Sequence, residues 1–184
     1  MRLLVLHGLF GNERQHWQTW LAEQAAAAGV DVRYPDLPEA DAPTADGWLA
    51  AVRPLLGLSE DLLVAAHSLG CHLWAHLSDR ERRRLAHRVV LVAPPGGSEV
   101  REEIPSFVPA AWDGDVLRRA CPDTTVVLGE ADDWLADPAP VLATGLPVRV
   151  VRGGAHLSVP AGFGPWPAML GWLRGGPAPG EPVR

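Results

Sequence analysis

Six stretches of the chain are apolar with little or no interruption: LLVLHG (3–8), VDVRYPDL (30–37), DLLVAAHS (61–68), RVVLVAPP (88–95), TTVVLGE (124–130) and LPVRVVRGG (146–154). Most are continuous Val/Leu runs rather than alternating ones. That pattern marks strands covered on both faces, as in a parallel sheet. Between them lie stretches with helical spacing. ERQHWQTWLAEQAAAAG (13–29) sets Trp17, Trp20 and Leu21 along one face and stops at Gly29. TADGWLAAVRPLL (44–56) opens with Thr44 as an N-cap, LGCHLWAHL (69–77) follows a serine, and FGPWPAMLGWLRG (163–175) comes last. Strand and helix alternating at this spacing predict a doubly wound α/β fold. The interval 94–122 breaks the rhythm with Pro, Gly and scattered Ile104, Phe107 and Trp112. A connection this long predicts either a pocket wall or lid, or a surface excursion over the sheet edge.

Length and composition narrow the picture. The 184 residues suit one domain, expected over 1–174, with a flexible Gly/Pro-rich tail at 175–184. All 16 basic residues are Arg, so a P-loop lysine, a Schiff base and a pyridoxal-phosphate anchor are excluded. A net charge of −6 argues against a nucleic-acid partner. The first apolar run is too short for a membrane span and reads as a strand, so no membrane association is expected. The two cysteines, Cys71 and Cys121, are too few for a disulfide framework, which favours the cytoplasm.

The candidate chemistry centres on VAAHSLGC (64–71). A serine placed between a buried strand and a helix sits on a sharp turn that lifts its hydroxyl above the sheet. This is the nucleophile elbow G-x-S-x-G, here Ala66-His67-Ser68-Leu69-Gly70, with alanine small enough to stand in for the first glycine. The alternative for Ser68 is a plain helix cap. A serine hydroxyl needs a general base, and in this fold the order along the chain is Ser, acid, His. GEADDW ends the fifth apolar run with Asp132 and Asp133, and RGGAHL ends the sixth with His156. All three lie past the carboxyl ends of strands, where open α/β sheets carry their ligands. The loop HGLFGN after the first run supplies Leu9, whose N–H, with that of Leu69, is the expected oxyanion hole.

At these motifs the chain resembles the small α/β-hydrolases of the retinoblastoma-binding protein nine and YdeN type. The resemblance rests on HGLFGNERQHWQTWL, AHSLGC, GEADDW, GGAHL and GFGPWP, which together reach from residue 7 to residue 167. It implies an α/β-hydrolase fold and a serine hydrolase with Ser68 as nucleophile, His156 as base and Asp133 as acid. Asp132 is the alternative acid; otherwise it serves the turn. Relatives often have proline after the Asp pair, where this chain has Trp134. The expected sheet has six mostly parallel strands in the order 2-1-3-4-5-6, with helices on both faces.

The function expected is hydrolysis of small esters through an acyl-enzyme, with no metal or organic cofactor. The alternatives are an amidase, peptidase or thioesterase with the same residues, or a binding protein on a hydrolase fold, for which a protein partner is open. The substrate pocket is expected to be walled by His16, Trp17, Phe107, Trp112 and Trp134, and to be shallow. His72 and His76 share a helix face but lack a third ligand, so packing is the simpler reading than zinc. Arg80–Arg84 reads as a solvated face.

Overall fold

The computed structural model describes residues 1–56, 60–96, 104–107 and 112–183. The apolar runs form a sheet: β1 (Arg2–Leu6), β2 (Asp31–Arg33), β3 (Leu62–His67), β4 (Arg88–Val92), β5 (Thr124–Gly129), β6 (Val148–Val151) and β7 (Glu181–Pro182). The order is β2-β1-β3-β4-β5-β6-β7. Pairs through β6 are parallel and β7 is antiparallel to β6. The expected six-strand order is therefore present, with one strand added.

That added strand corrects the flexible tail. Val183 N–H donates to Val148 O at 2.9 Å, and the Arg149 guanidinium holds the Gly180 carbonyl. Arg88 donates to Trp172 O and Gly176 O at 2.8 and 2.7 Å, and Ala178 is buried. Gly/Pro content alone predicts fraying, but backbone groups beside an open sheet edge find partners there.

Helices α1 (Trp17–Ala27), α2 (Ala45–Val52), α3 (Leu69–Glu81), α4 (Gly114–Ala120), the single turn α5 (Ala139–Leu142) and α6 (Pro167–Leu173) connect the strands. Successive strand side chains point to opposite faces. Leu3, Val5, Ala65, Val90 and Val127 pack under α1 and α6. Leu4, Leu6, Val64, Ala66, Leu91 and Val126 pack under α2, α3 and α4. Both faces are thus covered, which explains the unbroken Val/Leu runs. Thr44 caps α2 by accepting from Gly47 N–H at 3.2 Å. His16 caps α1, with its Nδ1 accepting from Gln18 N–H at 3.2 Å. Among the described residues no helix is long and apolar enough to cross a membrane.

The first crossover of the sheet reverses between β1 and β3. Strand β1 lies second from one edge, with β2 on one side and β3 on the other. Ligands of open α/β sheets sit at the carboxyl ends of strands at such a switch. The ends of β1 and β3 meet there.

Candidate active site

Ser68 follows the last residue of β3 and precedes α3. Its backbone has φ 52° and ψ −125°, a conformation that costs a non-glycine residue about 1–3 kcal/mol. The turn needs small neighbours. A Cβ on Gly70 would strike the Leu6 carbonyl oxygen, and one on Gly8 would lie 2.8 Å from Ser68 Cβ. Those two glycines let the HGLFG loop and the elbow close on one another. Although Ser68 occupies the N-cap position, its side chain makes no capping hydrogen bond. Its hydroxyl is instead 2.9 Å from His156 Nε2.

The imidazole is held from the other side by Asp132, whose two carboxylate oxygens lie 3.0 and 2.9 Å from His156 Nδ1. This corrects the assignment of Asp133, which is exposed, whereas the Asp132 side chain is only 2% accessible. The cause is local. Ala131 takes φ +60° just past β5, and this turns the next side chain inward over the sheet. Neighbouring residues then diverge, so Asp133 faces water. Asp132 also accepts from Trp134 N–H at 2.9 Å, so one carboxylate serves both the turn and the imidazole.

The loop carrying His156 is fixed by backbone contacts. His67 Nε2 lies 2.9 Å from the His156 carbonyl, so that ring nitrogen carries the proton and donates. Trp17 Nε1 donates to the Leu157 carbonyl at 3.0 Å. Ala155 N–H donates to Glu130 O at 2.9 Å. His67, the neighbour of Ser68, thus ties the end of β3 to the loop that carries His156.

His7 sets the opposite wall. Its Nε2 accepts from Leu37 N–H at 3.0 Å, so Nδ1 is the protonated nitrogen and donates to the Gly8 carbonyl at 2.7 Å. In a trans peptide the N–H points opposite to the C=O. Anchoring Gly8 O therefore aims Leu9 N–H away from His7. Leu69 is the first residue of α3, where an N–H has no partner within the helix. Among the described residues neither N–H donates to a backbone carbonyl outside regular elements. Both residues line the same cavity as Ser68 and His156.

That cavity has a volume of about 460 Å³, within the range of small-molecule sites. Of the pocket residues expected from sequence, His16 and Trp134 line it. Trp17, Phe107 and Trp112 do not, and each has a packing reason. Trp17 is fully buried beneath the His156 loop. Phe107 is fully buried edge-on against Trp48 and His76. Trp112 packs edge-on against His72 at 5.5 Å. From the long interval it is Pro95 and Ile104 that reach the cavity, while residues 97–103 and 108–111 lie outside the described residues. His72 and His76 point their Nε2 atoms at the carbonyls of Pro95 and Phe107, at 2.9 and 3.0 Å, and so pin this interval to α3. Phe10 and Gln18 also line the cavity and were not singled out from sequence. The available signal for Phe10 was its place inside HGLFG. For Gln18 it was a polar residue on the apolar side of α1, where its side-chain amide donates to Leu6 O and Ala65 O at 2.9 and 3.3 Å.

Burial pushes His16 down to about 4, with the neighbouring His156 adding to the effect. Burial also lowers His67 well below the ordinary histidine value, as do His16 and His156. Burial raises the Cys71 thiol, whose Sγ points at the Val92 carbonyl, so it is a packing residue at the elbow. Among the described residues no group of three or more His, Cys, Asp or Glu side chains is placed to hold a metal ion.

The fold recurs in solved structures. The ydeN gene product of Bacillus subtilis superposes with a TM-score of 0.79 at 19% identity, over 95% of this chain and 97% of that one. A YdeN-like hydrolase from Pectobacterium atrosepticum gives 0.71 at 20% identity, over 94% and 88%. The fluorophosphonate-binding serine hydrolase F of Staphylococcus aureus gives 0.51 at 15% identity, over 82% and 74%. A search of curated proteins finds no match. The Serine hydrolase family model matches residues 3–174, nearly the whole chain and every residue of the Ser68–His156–Asp132 line, and the chain belongs to that family.

Proposed function

We propose that this hydrolase cleaves small esters through an acyl-enzyme on Ser68, with His156 as base and Asp132 as the acid. The observation that carries the reading is the unbroken hydrogen-bonded line from Asp132 through His156 to the Ser68 hydroxyl. Asp132 accepts from Nδ1–H, which leaves Nε2 free to take the hydroxyl proton. As that proton moves to Nε2, Ser68 Oγ bonds to the ester carbonyl carbon. The carbonyl π electrons collect on its oxygen, and the Leu9 and Leu69 N–H groups stabilise that oxyanion. Collapse re-forms the carbonyl and breaks the bond to the alcohol oxygen, which leaves with the proton from Nε2. Water then attacks the acyl-enzyme, giving a proton to Nε2, and Ser68 regains it as the carboxylic acid departs.

The site's size suits a small-molecule ester. Leu9, Leu69, Pro95, Ile104 and Pro160 make much of the described wall apolar, but the volume is modest. Each methylene that finds cover gains about 0.8 kcal/mol, so selectivity should level off once the wall is filled. The test is a p-nitrophenyl ester series on wild type and Ser68→Ala, with fluorophosphonate labelling alongside. Preference for acetyl to butyryl esters is expected, with activity and labelling both lost in the variant. Turnover retained by pure Ser68→Ala protein would overturn the mechanism.

A further inference from the structure

Among the described residues, two of the exposed large hydrophobics share one cavity. Phe10 is 76% exposed and Trp134 is 38% exposed, and both line the space above Ser68. Phe10 does not sit in a relaxed backbone position, and Trp134 is held by a hydrogen bond. Phe10 holds φ +69°, a region bulky side chains avoid, and its N–H is fastened to Ala40 O at 2.7 Å. A phenyl group displayed to solvent on a strained backbone gains nothing for the fold, and such outliers cluster where ligands are gripped. Trp134 has its N–H held by the Asp132 carboxylate, and its ring stands 6.0 Å from the His156 ring at 41°. It is thus indexed to the imidazole.

We propose that Trp134 and Phe10 form a leaving-group subsite for a flat, uncharged apolar alcohol, above all an aryl one. This rests on the Ser68 mechanism. There, His156 Nε2 delivers a proton to the departing oxygen, so the alcohol must sit on the His156 side of Ser68. Trp134 borders that side. Phe10, next to Leu9, adds a second apolar surface to the same cavity. Glu13 is the charged side chain on the described wall, and an acid there disfavours an anionic alcohol. Ring-to-ring contact of an aryl group with these side chains should amount to about tenfold in selectivity.

The test compares phenyl acetate with 2,2,2-trifluoroethyl acetate, followed by titration of released acid. Both give the same acetyl-enzyme, so differences in kcat/KM arise before the alcohol leaves. Trp134→Ala should lower the phenyl-to-trifluoroethyl ratio about tenfold, while Trp134→Phe, which keeps a ring, should lower it about threefold or less. Phe10→Ala should shift the ratio in the same direction. 3-Carboxyphenyl acetate should be poorer than phenyl acetate, with Glu13→Gln narrowing the gap. An equal loss of both acetates in Trp134→Ala would show that Trp134 only supports Asp132, and would overturn the subsite. An advantage for the carboxylated ester would overturn its uncharged character. Wild type that fluorophosphonate does not label at Ser68 would instead overturn the parent mechanism, so the two failures are distinct.

Discussion

Replacing Asp132 separates the two neighbouring aspartates. In the structure its carboxylate accepts from the imidazole at Nδ1 and from Trp134 N–H, and its side chain is almost wholly buried. Asparagine keeps the shape. It loses the negative charge that holds the Nδ1–H tautomer and stabilises the imidazolium formed when Ser68 gives up its proton. The same exchange in a Ser-His-Asp template lowers kcat by about 10⁴ with the geometry intact. A loss of about 10³–10⁴ in kcat is therefore expected for Asp132→Asn, with KM little changed and the fold retained. Alanine goes further, because it orphans a buried donor, which costs about 1–3 kcal/mol. Asp132→Ala should thus lose stability as well as rate. Asp133→Asn changes an exposed group with no hydrogen-bond partner among the described residues, so stability should stay within about 0.5 kcal/mol. Its kcat should stay within about twofold, since the group lies outside the proton-transfer line. The assay is p-nitrophenyl acetate turnover with urea unfolding on each purified variant. Loss of activity in Asp133→Asn, with activity kept in Asp132→Asn, would reverse the assignment of the acid.

Two further outcomes follow from buried histidines. His7→Ala should release the Gly8–Leu9 peptide and so loosen one oxyanion donor; full loss of such a donor costs about 10²–10³ in kcat, so a fall of about 10–100-fold in kcat with a smaller change in KM is expected, and kcat within twofold of wild type would show that the loop holds itself. Stability should fall with acid below neutral pH. His16 and His72 drop to about 4 in the folded state, and His67 is lowered too, all chiefly by burial. The unfolded chain therefore binds more protons between its own histidine value near 6.5 and the folded value. Stability is whole above about pH 6.5 and declines as pH falls toward 4, by on the order of 3 kcal/mol for a group as buried as His72. Urea midpoints that stay flat from pH 7 to pH 5 would contradict this.

Strand identity and order were readable because burial on both faces leaves an unmistakable run of Val and Leu, as in RVVLV and LLVAA. Ser68 and His156 were readable because each follows such a run at a small-residue turn. Three things were hidden for one shared reason: they depend on a local torsion that composition does not encode. Ala131 at φ +60° decides that Asp132, not Asp133, faces the imidazole. Phe10 at φ +69° puts an aromatic ring on the cavity rim. The last strand depends on Gly180, at φ +92°, turning the chain back beside Val150. The pocket aromatics failed differently. Trp17 and Phe107 have large side chains near the site in sequence terms, but their area is spent on packing beneath it.

The three imidazoles around Ser68 divide their roles by solvent access. The rings of His16 and His67 lie 4.6 Å apart and those of His67 and His156 5.1 Å apart, each pair tilted. Three such rings could not all carry charge at that spacing. His16 and His67 are desolvated and stay neutral at pH 7, with His16's Nδ1 committed to Gln18 N–H and His67's Nε2 proton to the His156 carbonyl. His156 alone is paired with a carboxylate. A positive charge arriving on His156 therefore meets Asp132 on one side and uncharged rings on the other. On the proposed mechanism the short His67 link bears on rate as well as fold. It keeps the imidazole of His156 over Ser68 without adding a like charge beside it, which a lysine or arginine at residue 67 would do.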